Sequence, residues 1–313
     1  MQGQPRPLLA QAQRLAQRPA APAPAPEHAR ARGHLVRITV GNVTVTVEAS
    51  RAARFQAGTY GSVWRVQVQP SGMPAVMKVV LTRKRHQSTA MMAAYGTPAE
   101  KEVAMGQRLL QLQARHDAAL QQPPQRAWWQ LPWRQHSGSS SADDATPWSN
   151  ELEMLQHTVR VLAAGEVSSA DVNALRGWLP STNVTATAVV MAPLAYTVDD
   201  QYKKKGTISG AEWREIMSSA ARANVAFLKA GLVYTDSKLR NLMRDAATGT
   251  WKYIDIGAFE TVKLLGLNNT VASVQWTAKL PTNLVRDANG VKVQMTSVPP
   301  RILRVAARAA AAV

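Results

Sequence analysis

Alternation of apolar and polar residues begins at Leu35 and runs through Val40, pauses at Gly41-Asn42, and resumes from Val43 to Glu48. Two β-branched stretches around a two-residue Gly-containing turn predict a β-hairpin. Three further strand-like stretches follow at Arg51 to Ala57, Ser62 to Val68 and Ala75 to Leu81, parted by turn residues at Gly58 to Gly61 and Pro70-Ser71-Gly72. They predict an antiparallel sheet of successive hairpins. From Pro98 to His116 the period changes: Val103, Met105, Leu109, Leu110 and Leu112 recur at three- and four-residue spacing behind Thr97-Pro98, which predicts a helix. Residues 121 to 150, with Pro123-Pro124 and the run Ser137 to Ser141, break both periods and predict an inserted loop. Strand patterns return at His157 to Ala163 and Thr185 to Met191. A long helical pattern from Gly210 to Ala230 leads into Leu232-Val233-Tyr234, and short strands at Leu242 to Arg244 and Lys252 to Ile254 flank Ala246 to Thr250. Beyond Gly257 the pattern weakens until an Ala-rich helix carrying Arg301, Arg304 and Arg308. The fold class is therefore α+β.

Composition narrows the picture. No apolar run reaches the roughly 18 residues of a membrane span, so no transmembrane segment is expected. The absence of Cys excludes disulfides, thiol nucleophiles and Cys-ligated zinc, and the six His lack metal-ligand spacing. Lys and Arg number 37 against 20 Asp and Glu, a formal charge of +17 that points to an acidic partner such as nucleic acid or nucleotide phosphates. Much of the excess lies early, with thirteen Lys and Arg but only Glu27, Glu48 and Glu100 as acids through residue 100. Residues 1–33 read as a basic, Pro/Ala-rich disordered tail whose Ala21 to Pro26 tract favours an extended chain. Leu8, Leu9, Ala12 and Leu15 beside Arg14 and Arg18 also suit a transit peptide. Trp128, Trp129, Trp133 and Trp148 fall in the inserted loop, where they predict packing back on the domain or a partner site. With the basic residues they also allow stacking on single-stranded nucleic acid.

Three motifs carry chemistry. Gly58 and Gly61, in Gly58-Thr59-Tyr60-Gly61-Ser62-Val63, allow backbone N–H groups to approach phosphates without obstruction by Cβ. Lys78, in Ala75-Val76-Met77-Lys78-Val79-Val80, is flanked by apolar strand residues, so its ammonium points into the protein and requires an anion. Glu102 or Glu100 on the following helix can supply it. Finally, Asp236, Lys238 and Asn241 precede Tyr253-Ile254-Asp255-Ile256-Gly257. Asn241 and Asp255 offer hard oxygen ligands suited to Mg²⁺, Asp236 can accept a hydroxyl proton, and Lys238 can neutralise charge on a moving phosphoryl group.

In order and spacing this set resembles the eukaryotic-type protein kinases, whose signature is a Gly-rich loop, a V-A-I-K strand, H-R-D-L-x-x-x-N and D-F-G. Gly58, Gly61 and Val63 match the loop, with Gln56 where its first Gly is expected. Ala75 to Lys78 matches the lysine strand, Asp236 and Asn241 the catalytic loop, and Asp255 and Gly257 the metal-binding motif. The resemblance implies a bilobal fold: an antiparallel N-lobe over residues 34–191, carrying an extra hairpin and the insertion at 121–150, and a reduced, mainly helical C-lobe over 192–313. It implies ATP and Mg²⁺ as cofactors, with Lys78 on the α- and β-phosphates paired with Glu102 in preference to Glu100, and Asp236 as the catalytic base. Val63 and Val76 would cover the adenine and Met243 would lie beneath it. Met191 would be gatekeeper, and Ala192-Pro193-Leu194 the hinge whose backbone reads the base. Asp199 or Asp200 would reach the ribose. Lys238 two residues after Asp236 is similar to the Ser/Thr-directed members, so a protein Ser/Thr substrate is implied.

The departures are informative too. Tyr234-Thr235 stands where the family has His-Arg, so no Arg receives an activation-loop phosphate, and activity is expected not to depend on that switch. Ile256 replaces Phe, no A-P-E follows Gly257, and the remaining residues are too few for a complete C-lobe. Compact kinases of this kind resemble those of viruses and bacterial effectors, which implies an intracellular, host-cell or virion setting. Two alternatives stand beside it: a small-molecule phosphotransferase of the aminoglycoside- or choline-kinase type, which uses the same core, and a catalytically dead kinase-like binding or virion-associated protein whose working parts are the basic tail and the Trp-rich loop, with nucleic acid as its partner.

Overall fold

The computed structural model describes residues 34–49, 54–57, 61–83, 97–121, 147–175, 184–278 and 285–286, with Arg304, Val305 and Arg308. The basic tail, Gly58, Trp128, Trp129, Trp133 and Arg301 lie outside these residues. Strands β1 (His34–Val40), β2 (Val43–Ala49), β3 (Arg54–Ala57), β4 (Gly61–Val68) and β5 (Met73–Arg83) precede helix α1 (Pro98–Gln121) and helix α2 (Pro147–Gln156). Strand β6 (Val161–Val167), helix α3 (Ser169–Ala174) and strand β7 (Val184–Met191) follow. The remainder comprises β8 (Tyr196–Thr197), α4 (Val198–Lys205), β9 (Ile208–Ser209), α5 (Gly210–Lys229), β10 (Leu232–Tyr234), β11 (Leu242–Arg244), β12 (Trp251–Tyr253), β13 (Phe259–Thr261), α6 (Val262–Ala278) and β14 (Val285–Arg286). The protein is mixed α+β, built on a curled antiparallel sheet.

That sheet runs β1-β2-β4-β5-β7-β6, with β3 attached to β4. The expected series of successive hairpins is therefore corrected at one place. β2 pairs with the end of β4 through Val45 to Val47, while β3 pairs with its beginning through a bulge between Arg54 and Gln56. One short strand cannot span β4, so two share its edge. β7 then inserts between β5 and β6, bringing Lys78 opposite Val189. The far ends of the sheet approach each other where Gly165 on β6 meets the β1–β2 turn: a Cβ there would lie 3.1 Å from Gly41 N.

Strand parity sorts the side chains. Ala75, Met77, Val79 and Leu81 of β5 fall in one buried cluster with Ile38, Val45, Trp64, Ala188 and Val190. Val76 packs against the other cluster, which contains Val189, Met191, Leu109 of α1, Met154 of α2, Phe227 of α5 and Ile256. Successive strand side chains point to opposite faces, so Lys78, between Met77 and Val79, shares the face that α1 covers. Within α1 the buried positions are Ala99, Glu102, Gly106, Leu109 and Leu112. Glu102 thus occupies a place on the apolar stripe that only an ionic partner can justify.

The expected loop at 121–150 is corrected at its end. Residues 122–146 lie outside the described set, but Pro147 opens α2, and Met154 is fully buried. Glu151 pairs with Arg108 of α1 at 3.2 Å, and Glu153 with Lys229 of α5 at 2.8 Å. The expected strand at His157 also shifts: His157 follows α2 in a turn, and β6 begins at Val161. Lys203, Lys204 and Lys205 end helix α4. Lys203 pairs with Asp199 at 2.7 Å and Lys205 with Glu212 at 2.8 Å. Among the described residues no helix is long and apolar enough to cross a membrane.

Candidate active site

Lys78, Glu102 and Asp255 come from a strand, a helix and a late turn, yet they meet at one point. Lys78 Nζ donates to Glu102 Oε2 and to Asp255 Oδ1, both at 2.7 Å. The choice between the two glutamates is settled by the start of α1. Glu100 Oε2 accepts from Thr97 N at 2.7 Å while Glu100 N donates to Thr97 Oγ1 at 3.2 Å, a capping box that occupies its carboxylate. Glu102 is left to face the sheet. Burial pushes its carboxyl above the usual carboxylate range, opposed by Lys78 and reinforced by Asp255. Its Oε1 is buried without a hydrogen-bond partner, which is consistent with that direction. Burial pulls Lys78 down, but the two carboxylates outweigh it and hold the ammonium above its ordinary value. Lys78 remains charged.

The turn after Asp255 is built to admit Glu102. A Cβ on Gly257 would lie 2.8 Å from Glu102 Oε2, so any side chain there presses on the acceptor that holds Lys78. Neighbouring Ile256 is fully buried against α1, and a Cβ on Gly106 would come within 3.4 Å of Ile256 Cδ1 and 2.6 Å of Ala164 Cβ. Gly106 thereby allows the helix to lie close on both β6 and this turn. Gly257→Ala is expected to disturb the Lys78–Glu102 pair more than the fold. The thermal midpoint is expected to fall by only a few degrees, which calorimetry would check.

The second half of the site is the segment after β10. Asn241 Nδ2 donates to the Asp236 carbonyl at 2.9 Å and to Asp236 Oδ2 at 3.0 Å, while Lys238 Nζ lies 2.5 Å from Asp236 Oδ1. This segment is tied to the first half through the backbone. Ile254 N donates to Asn241 O at 3.1 Å, and Thr235 donates to Ala258 O from both N and Oγ1, at 2.9 and 2.8 Å. Thr235, which sequence reasoning read only as the loss of an Arg, is thus the residue that fastens the Asp236 loop to the Asp255 turn. Its hydroxyl was the available signal.

Beneath both halves lies an aromatic cluster. Phe227 sits 4.8 Å from Phe259, 5.6 Å from Tyr253 and 6.4 Å from Tyr234, centroid to centroid, and Tyr234 is 4.3 Å from Tyr253. Burial drives the Tyr234 hydroxyl well above its ordinary value, with Asp255, Tyr253, Asp236 and Glu102 adding to the shift. Burial likewise pushes Tyr253 up to about 12, against the hydrogen bonds of Ser237 and Asn224. Both rings stay neutral under the site.

Asn241 and Asp255 each keep one side-chain oxygen suited to Mg²⁺. Asn241 spends its amide nitrogen on Asp236, which leaves Oδ1 as its acceptor, and Asp255 uses Oδ1 on Lys78, which leaves Oδ2. Among the described residues no group of three or more His, Asp or Glu could hold a metal by itself. Two oxygen donors completed by substrate phosphates and water match the way Mg²⁺ is commonly held, so the residues fit.

The remaining expected residues are distributed as follows. Val63 is paired with Lys78 across β4 and β5, and Val76 with Met191 across β5 and β7. Met191, Val76, Leu194 and Ile254 share one apolar cluster, to which Ile254 is an addition. Met243 is half-buried on β11 and pairs with Lys252 and Thr197. Gly61 opens β4 so close to β5 that a Cβ would lie 2.0 Å from Val79 O. Its need for Gly is met by strand packing. Ala192 N already donates to Arg160 O at 2.9 Å, so this N–H is not free to read a base. Asp200 forms a capping box with Thr197, and Asp199 pairs with Lys203, so both carboxylates have structural partners. No protein-family model matches the chain, and no curated protein matches it either.

Proposed function

We propose that the chain is an ATP- and Mg²⁺-dependent phosphotransferase of the protein-kinase type, directed at Ser/Thr hydroxyls of a protein. The observation that carries this reading is the meeting of Lys78, Glu102 and Asp255 beside the paired Asp236 and Asn241. Five groups from four separate segments of the chain would have no reason to converge in a purely structural core, where a buried charge such as that of Glu102 is costly.

Each residue has a task in the transfer. Lys78, steered by Glu102, binds the α- and β-phosphates. The backbone of residues 192–194 would read the purine edge through groups other than the Ala192 N–H, which Arg160 O already occupies, with Val63, Val76 and Met191 around the ring. Asp236 orients the acceptor hydroxyl and takes its proton as the oxygen attacks the γ-phosphorus and the bond to the β-phosphate breaks. Asn241 holds the Asp236 carboxylate in place, and Lys238, whose side chain is 46% exposed, can leave Asp236 to neutralise the moving phosphoryl group. Mg²⁺, held by Asn241 and Asp255, would supply charge neutralisation at the phosphates.

The test is transfer of labelled phosphate from ATP with Mg²⁺ to a generic protein acceptor. Lys78→Ala, Asp236→Ala and Asp255→Ala are each expected to lower transfer by about a hundredfold or more. Transfer to small molecules alone would replace the protein substrate with a small one. Absence of nucleotide binding by the wild type would overturn the reading.

A further inference from the structure

We propose that Lys101 and Glu260 are positioning residues of this site, forming an ionic clasp that sets the rotation of α1 and therefore the reach of Glu102 toward Lys78. The assignment rests on the phosphotransferase reading for its effect on turnover, but its structural part stands independently. Lys101 Nζ is ion-paired with Glu260 Oε1, and the two side chains are only 25% and 16% exposed.

The geometry follows from helix periodicity. Consecutive helical residues project about 100° apart, so Lys101 and Glu102 leave α1 in different directions. Glu102 reaches β5, and Lys101 reaches β13. Two anchors at different azimuths fix the helix against rotation, which one anchor cannot do. Rotation that withdrew Glu102 from Lys78 would also separate Lys101 from Glu260.

The far end of the clasp is connected to the Asp236 loop. Glu260 is opposite Val233 in the β10–β13 ladder, and Asp236 follows β10 within the same short segment. Phe259, beside Glu260, is opposite Tyr234, and Ala258 accepts both bonds from Thr235. A single ion pair therefore couples the helix that orients Lys78 to the strand pair that presents Asp236. It is made by residues of the chain itself, without a modification.

The experiment compares Lys101→Glu, Glu260→Lys, Glu260→Gln and the double charge swap in the full chain. Amide hydrogen exchange is followed in α1 without nucleotide, alongside kcat and KM for ATP. Each charge reversal is expected to speed exchange in the first turns of α1 and to lower kcat roughly tenfold with less change in KM, a size typical of coupled neighbouring charges. The double swap is expected to restore both, and Glu260→Gln to fall between. Wild-type exchange and kcat in Glu260→Gln, or a folded double swap no better than the worse single variant, would overturn the clasp. If the wild type transfers no phosphate, the phosphotransferase reading fails, and exchange alone decides whether the clasp positions α1.

Discussion

Lys78→Ala is expected to destabilise the protein by about 3–5 kcal/mol, because it leaves the buried carboxylate of Glu102 without a counter-charge. The Glu102 side chain is only 4% exposed, its Oε1 already lacks a partner, and Asp255 is a like charge nearby. Lys78 itself is 23% exposed, so water entering its place brings the loss toward the lower end. Glu102→Gln should cost less, since Lys78 keeps Asp255 at 2.7 Å and remains partly hydrated. The double variant Lys78→Met with Glu102→Gln should recover much of the loss, since no buried charge remains unpaired. The dependence on pH has a definite sign. Burial already raises Glu102 above its ordinary value in the folded protein, and removing Lys78 raises it further. The folded state then holds a proton that the unfolded state has released, so stability falls as pH rises through that window. Urea unfolding at about pH 5 and about pH 8 should therefore show a larger deficit for Lys78→Ala at the higher pH. A deficit equal at both, or larger at the lower pH, would remove Glu102 as its cause.

Phe227→Ala should cost a further about 3–5 kcal/mol for a different reason, the cavity left when a buried aromatic ring is truncated. Phe227 is fully buried, and it stands edge-on to Phe259 and Tyr253. These rings support β13, β12 and β10, which carry the Asp255 turn and the Asp236 loop. The loss should appear as a lower urea midpoint with an unchanged slope. If the fold survives at low temperature, the proposed phosphate transfer should fall as well, since the two acids lose their common support. Phe227→Leu, which refills much of the volume, should recover most of both. Loss of stability with transfer fully retained would mean that the aromatic layer does not position the acids.

Much of the site was legible because it depends on local periodicity. The alternation around Lys78 assigns it to the face opposite Met77 and Val79, and no knowledge of the fold is needed for that. The hairpin at Gly41-Asn42, the short strands around Ala246 to Thr250 and the long helix from Gly210 follow from turn chemistry and from two- and 3.6-residue periods. The choice of Glu102 was available only as a resemblance. Its neighbour Glu100 had the same charge and lay on the same helix, and the capping box with Thr97 separates them only once the helix start is placed.

Other features belong to tertiary structure alone. α2 begins where composition predicted loop, and what holds it there is packing of Met154 and ion pairs to α1 and α5, all distant in sequence. The sharing of the β4 edge by β2 and β3 and the insertion of β7 beside β5 are long-range pairings that local propensity does not rank. Thr235 acquires its role only because Ala258 lies beside it, and Lys101 and Glu260 meet only because α1 docks closely at Gly106. By itself, then, the sequence determined which faces of the strands are apolar and which charged residues must find partners. The docking of α1 on the sheet decided which partners they found, because pairing across the chain depends on where whole elements pack and not on the pattern within any one of them.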